Sequence, residues 1–200
     1  MELIFASHNL HKLEEVRAGL KPNCSVIPLQ SLGWTKEILE TQDSLLGNAL
    51  EKARTVYQEF GRDCFADDTG LEIEALGGKP GVYTARFAGP AATAQDNRAK
   101  VMLLMRGQAN RKAAFRTVIA LIRGGREYTF EGRVSGHITT QEQGDQSFGY
   151  DCLFVPSGFD LTYGQMSLEQ RNQISHRSLA LAQMRNELDR HEPFLTESPL

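Results

Sequence analysis

The chain has 200 residues, with 22 Lys and Arg against 25 Asp and Glu and a formal net charge of -3. That length suits one domain with a sizeable core, and that charge gives no global attraction to nucleic acid or to an acidic membrane, so any phosphate-binding charge has to be local. Cys24, Cys64 and Cys152 are too far apart for a CxxC pair and too few for a disulfide framework, so each reads as a small buried hydrophobe in a reducing compartment. Met1 to Ala6 has no basic region ahead of its short apolar run, and no apolar stretch reaches bilayer length, which predicts a soluble, cytoplasmic protein.

In chain order, Leu3-Ile4-Phe5-Ala6 predicts a buried strand. Ser7-His8-Asn9 predicts a turn capping a helix that starts near Leu10 and carries an apolar stripe of Leu13, Val16 and Leu20. Ser25 to Leu29 reads as a second strand. A polar connection then leads to a longer helix from about Ser44 to Phe60, whose stripe Leu45, Ala49, Ala53, Val56 and Phe60 follows the helical period. Asn48 and Lys52, four apart, share the flank of that stripe. Cys64-Phe65-Ala66 predicts a strand ended by Asp67-Asp68-Thr69-Gly70, and a helical run through Asn97 to Met105 comes next. Alternation around Phe115, Thr117, Ile119 and Leu121, then Gly124-Gly125 and Tyr128-Thr129-Phe130, predicts a hairpin. Ser167 with Gln170 has the spacing of a capping box, a last helix begins at Ser175, and the tail from His191 to Leu200 is expected to fray. Early alternation of strands and helices followed by a long hairpin predicts an α/β fold with a mixed sheet.

The most informative stretch is Asp67-Asp68-Thr69-Gly70, followed by Gly77-Gly78-Lys79-Pro80-Gly81. Two adjacent carboxylates at the end of a buried strand repel each other and need a bound cation, a nearby Lys or Arg, or a proton. The pattern points to a metal-assisted site with Lys52 as the cationic counterpart of both, although the four residues also suit a polar turn. Ser7 to Lys12 places small polar groups and a Lys at a strand-to-helix turn, where a phosphate chain or ordinary N-capping are the two readings. Glu40, among Glu37, Thr41, Gln42 and Asp43, belongs to a solvated acidic loop or supplies an oxygen to Mg²⁺. The histidines and cysteines have no zinc-ligand spacing. Phe148-Gly149-Tyr150-Asp151 suits a nucleobase platform or a turn with two core aromatics. His176 and Arg177 stand at a helix start, with Arg171 in the helix before, where donors can face a carbonyl or phosphate.

The elements ASHNLHK, NALEKA, FADDTG, GGKPGVYTAR, FGYD and MSLEQRNQISHR, in this order from Ile4 to about Met184, resemble the inosine triphosphate pyrophosphatase family. The resemblance implies an elongated mixed β-sheet flanked by helices, forming one domain over residues 1–200 with two lobes around a central cleft, usually as a homodimer. It implies Mg²⁺-dependent hydrolysis of ITP, dITP or XTP to the monophosphate and pyrophosphate. By the same resemblance Ser7, His8, Asn9, Leu10, His11 and Lys12 hold the triphosphate, with Lys12 and Lys52 as charge partners. Glu40 and Asp68 hold Mg²⁺, Asp68 orients or deprotonates the attacking water, and Thr69 contacts phosphate. Phe148, Gly149, Tyr150 and Asp151 form the base and sugar platform, while Arg171, His176 and Arg177 complete the substrate contacts, the last two reading the purine edge. Arg171 stands where the family usually has Lys, Gly47 where Glu is frequent, Ser147 where Gly precedes FGYD, and Cys152 where Pro follows it.

Inosine and xanthine carry an oxygen at C6 where adenine carries an amine, so donors there satisfy the first and are opposed by the second. Two other readings compete: a Maf-like pyrophosphatase for modified pyrimidine triphosphates, and a nucleotide sensor without turnover.

Overall fold

The computed structural model describes residues 1–20, 24–145 and 148–190; Ser147 and the tail from His191 lie outside them. Its strands are β1 (Glu2–Phe5), β2 (Ser25–Pro28), β3 (Cys64–Ile73), β4 (Pro80–Gly81), β5 (Lys112–Arg123), β6 (Arg126–Ile138) and β7 (Phe154–Pro156). Its α-helices are α1 (Leu10–Leu20), α2 (Leu45–Phe60), α3 (Ala94–Leu104), α4 (Leu168–Ile174) and α5 (His176–Arg190). The sheet runs β2-β1-β3-β5-β6-β7, with β4 paired beside β3. β1 is parallel to β2 and β3, and the other pairings are antiparallel, giving the mixed α/β sheet expected from the sequence.

Strand alternation sorts the core. Leu3 and Phe5 of β1, Phe65 of β3, and Ile119 and Leu121 of β5 pack with Leu13 and Val16 of α1 and Leu181 and Met184 of α5. The intervening residues Ile4, Cys64, Ala66, Val118 and Ala120 pack on the opposite face against Ala49, Ala53 and Val56 of α2. A third cluster, including Leu71, Phe115, Ile138, Phe154 and Tyr163, fills the far end of the sheet. Successive side chains of a strand point to opposite faces, so this parity carries into the polar residues that follow Ala66.

The sequence expectation differs from the fold at β3. Asp67-Asp68-Thr69-Gly70 is neither a turn nor a strand end but the middle of a ten-residue strand, paired residue by residue with Thr117 and its neighbours on β5. Buried backbone groups need partners, and β5 supplies them across the whole motif. The predicted second strand ends one residue early, since Leu29 opens a short 3-10 turn. The caps are as read: Ser44 Oγ accepts from Gly47 N at 3.1 Å, and Ser167 and Gln170 form a capping box.

Gly132 of β6 brings α5 onto the sheet. A Cβ there would lie 1.9 Å from the carbonyl oxygen of His176 and 2.8 Å from Ala180 N, so only glycine lets the start of α5 lie directly on the strand.

Candidate active site

A cavity of about 820 Å³ opens where the N-terminal turn of α1, the middle of β3, the middle of α4 and the start of α5 converge. Ser7, His8, Asn9, His11 and Lys12 line one wall; Glu40, Lys52, Asp68 and Thr69 line the floor. Phe148, Gly149, Tyr150, Asp151, Arg171, His176 and Arg177 complete the lining. Leu10 is the exception among the predicted contacts. As the first residue of α1 it is 60% exposed and outside the cavity lining, because the helix turns its side chain off the wall that His11 and Lys12 form.

Asn9 caps α1, its Oδ1 accepting from Lys12 N at 3.1 Å while its own N–H donates to Ser7 Oγ at 3.2 Å. That arrangement sends the Lys12 side chain inward, where Nζ lies 3.1 Å from both oxygens of Asp67. Asp67 is fully buried and shares the sheet face of Phe65. It also accepts from Arg177 Nε at 3.1 Å, and Arg177 Nη1 pairs with Glu15 of α1. Burial pushes the Asp67 carboxyl up, but Lys12 and Arg177 outweigh burial and hold it well below the usual carboxylate range. Burial lowers the Lys12 ammonium despite Asp67, which leaves it responsive to further anionic charge.

Asp68 faces the other way, toward α2. Asn48 Nδ2 donates to its Oδ2 at 3.1 Å, and Lys52 Nζ lies 3.5 Å from its Oδ1 and 2.5 Å from Glu40 Oε1. Lys52 is therefore the counterpart of Asp68 and Glu40, while Lys12 and Arg177 serve Asp67, which corrects the expectation that Lys52 serves both aspartates. Burial raises the Asp68 pKa despite the opposing pull of Lys52, the direction that suits a carboxylate accepting a proton. Burial lowers the Lys52 ammonium pKa, but Asp68 and Glu40 outweigh it and raise it above its ordinary value. Glu40 lies on the irregular segment before α2, half-buried, where Arg86 Nη1 also reaches it at 3.4 Å.

Of the two aromatics in Phe148-Gly149-Tyr150-Asp151, only Phe148 is partly open, its ring 4.9 Å from that of His11. Tyr150 touches the cavity but belongs to the core: it is 2% exposed and its hydroxyl donates to Thr84 O at 2.9 Å. Its ring is thus committed to packing and does not offer a second free face. Asp151 Oδ2 accepts from Arg171 Nη1 at 2.5 Å, and burial pushes the Asp151 carboxyl up to about 7 although Arg171 pulls it down.

His176 stacks on Phe115, with centroids 4.8 Å apart and planes at 26°, and its Nδ1 is 2.6 Å from Thr117 Oγ1. Burial, then the neighbouring Arg177, keep the imidazole neutral, its pKa well below the ordinary histidine value. Sequence reasoning missed Glu15, Phe115 and Thr117. Glu15 follows Lys12 by three on α1 and so shares its helix face, and Thr117 was visible as the polar member of an otherwise apolar strand stripe.

A family model described as "Ham1 family" matches residues 3–187. A protein named dITP/XTP pyrophosphatase from Porphyromonas gingivalis is 46% identical, covering 92% of this chain and 96% of its own length. A protein of the same name from Flavobacterium johnsoniae is 43% identical with the same coverage. Among solved structures, the Ham1 protein of Staphylococcus aureus superposes with a TM-score of 0.87 at 32% identity, covering 96% of this chain and all of that one.

Proposed function

The chain belongs to the Ham1 family, and from that premise we propose that it hydrolyses non-standard purine nucleoside triphosphates, dITP, XTP and ITP, to the monophosphate and pyrophosphate. The observation that carries this reading is one cavity lined by two lysines and the Asp68 carboxylate together with a partly open aromatic ring and buried His and Arg donors. A nucleoside triphosphate calls for both kinds of group.

Lys12 and Lys52 face the triphosphate oxygens, and the N-terminal turn of α1 adds its helix dipole. Asp68 takes the proton of a water attacking the α-phosphorus. The bond from that phosphorus to the α–β bridging oxygen breaks, and pyrophosphate leaves with the bonding pair, its charge met by the lysines. No covalent intermediate is needed.

The residues present fit a divalent ion. Among the described residues no three His, Cys, Asp or Glu side chains converge, but Glu40 and Asp68 meet across Lys52. Mg²⁺ is usually held by one or two carboxylates, with substrate phosphates and waters completing its shell. Glu40 and Asp68 would hold it, and when bound it would neutralise charge building on the phosphates. The homodimer and the cytoplasmic setting belong to the same proposal, and light scattering on the purified protein measures the first.

The test is pyrophosphate release with Mg²⁺ from a panel of ITP, XTP, dITP, ATP, GTP and modified pyrimidine triphosphates. Turnover led by the first three is expected. Binding of all without release, or a preference for pyrimidines, would overturn the proposal.

A further inference from the structure

We propose that Thr117, buried in the middle of β5 behind the cavity, is a positioning residue that fixes the tautomer of His176, so that Nε2–H is presented to the base as a donor for a carbonyl oxygen at C6. The proposal rests on the reading of the cavity as a purine nucleotide site.

Thr117 is fully buried and lies outside the cavity lining. It stands directly opposite Thr69 in the β3–β5 register. Its Oγ1 is 2.7 Å from Thr69 Oγ1 and 2.6 Å from His176 Nδ1. Each hydroxyl has one proton to give, so such a chain runs in one direction or the other. The Thr69 end sets the direction. Arg177 Nη2 lies 3.2 Å from Thr69 Oγ1, and a guanidinium only donates, so Thr69 accepts there and has its own proton to place.

Two acceptors are within reach of that proton. Asp67 Oδ2 is 3.4 Å away, beyond the usual O–H···O range, and already accepts from Arg177 Nε; Thr117 Oγ1 is well inside the range. Thr69 therefore donates to Thr117, and Thr117 donates to His176 Nδ1. An imidazole whose Nδ1 accepts carries its proton on Nε2.

Phe115 stacks against the ring and sets its plane, and the backbone carbonyl of His176 rests on Gly132 with no side chain between, which sets where the ring starts from. Among the described residues no protein group bonds Nε2, and His176 lines the cavity. An N–H there is satisfied by the C6 oxygen of hypoxanthine or xanthine and opposed by the C6 amine of adenine. A reversed chain would present a bare nitrogen and favour the amine.

The test combines nitrogen-15 NMR of histidine-labelled protein, which reads the tautomer without nucleotide, with kcat/KM for ITP and ATP. Wild type is expected to show the Nε2–H form. Thr117→Val, which removes the hydroxyl at nearly constant volume, is expected to mix the tautomers and lower the ITP-to-ATP ratio by about tenfold, and Thr117→Ser to restore both. An Nδ1–H form in wild type overturns the proposal, as does a shifted tautomer with an unchanged ratio. If Thr117→Val does not fold, wild type and Thr117→Ser still decide the tautomer. Wild type that hydrolyses no triphosphate defeats the nucleotide reading itself, which the NMR arm, needing no substrate, keeps separate.

Discussion

Asp67 and Asp68 are neighbours in the chain but face opposite sides of the sheet: Asp67 is held by Lys12 and Arg177, Asp68 by Asn48 and Lys52. The repulsion expected of adjacent carboxylates is relieved by strand geometry, which gives each its own cation. One aspartate can then be built into the frame while the other stays open to the cavity.

Replacing Asp68 with Asn is expected to lower hydrolysis at least about 100-fold, the lower range for losing a positioned proton acceptor, while the fold persists. Pyrophosphate release and circular dichroism check the two halves. A near-wild-type rate would remove Asp68 from the chemistry.

Asp67→Asn has a different signature. Among the described residues it leaves the guanidinium of Arg177, 3% exposed, with only Glu15 as an ionic partner, and takes from Lys12 the carboxylate it pairs with. Breaking a buried pair from one side costs about 3 kcal/mol or more. Urea denaturation is expected to show that loss, whereas Asp68→Asn loses much less.

Stripping divalent ions with EDTA is expected to abolish turnover, and Mg²⁺ or Mn²⁺ to restore it, because Glu40 and Asp68 offer hard oxygen ligands. Persisting activity in metal-free buffer would exclude a metal-assisted mechanism.

Asp151 gives a pH dependence. Its folded pKa of about 7 lies above the unfolded value, so the folded state binds the extra proton, and the associated stability is full below the unfolded pKa and lost as pH rises through about 7. Asp151→Asn cannot lose it. The stability of the variant relative to wild type is therefore expected to rise between about pH 4 and pH 7, measured by denaturation at a series of pH values.

Phe148 offers the one partly open ring of its motif, and stacking accepts any base. Phe148→Ala is expected to weaken all purine triphosphates alike, by about 1–3 kcal/mol in binding. A change confined to ITP would assign the ring a part in selectivity.

Much of this was legible in the sequence. Helical stripes, caps and the hairpin follow from periodicity and local hydrogen bonding, and the expected site residues other than Leu10 all line one cavity. The errors arose where long-range pairing overrides local preference. Asp, Thr and Gly favour turns, yet β5 pairs with the whole of β3 and keeps them extended. Lys52 was assigned to both aspartates because one-dimensional spacing does not tell which sheet face a helix covers. Thr117 reads from the sequence as a strand residue only, because a single hydroxyl in a strand gives no local signal of the histidine that reaches it from 59 residues away.

Gly132 has no chemistry to contribute, yet the placement of His176 depends on what it lacks. Even a methyl group there would wedge the start of α5 off β6 and carry the imidazole with it. With His176 in the role proposed for it, substrate preference is open to change from beneath α5, at a position that a survey of the cavity walls would pass over. The residues that touch a substrate and the residues that determine its choice need not be the same set.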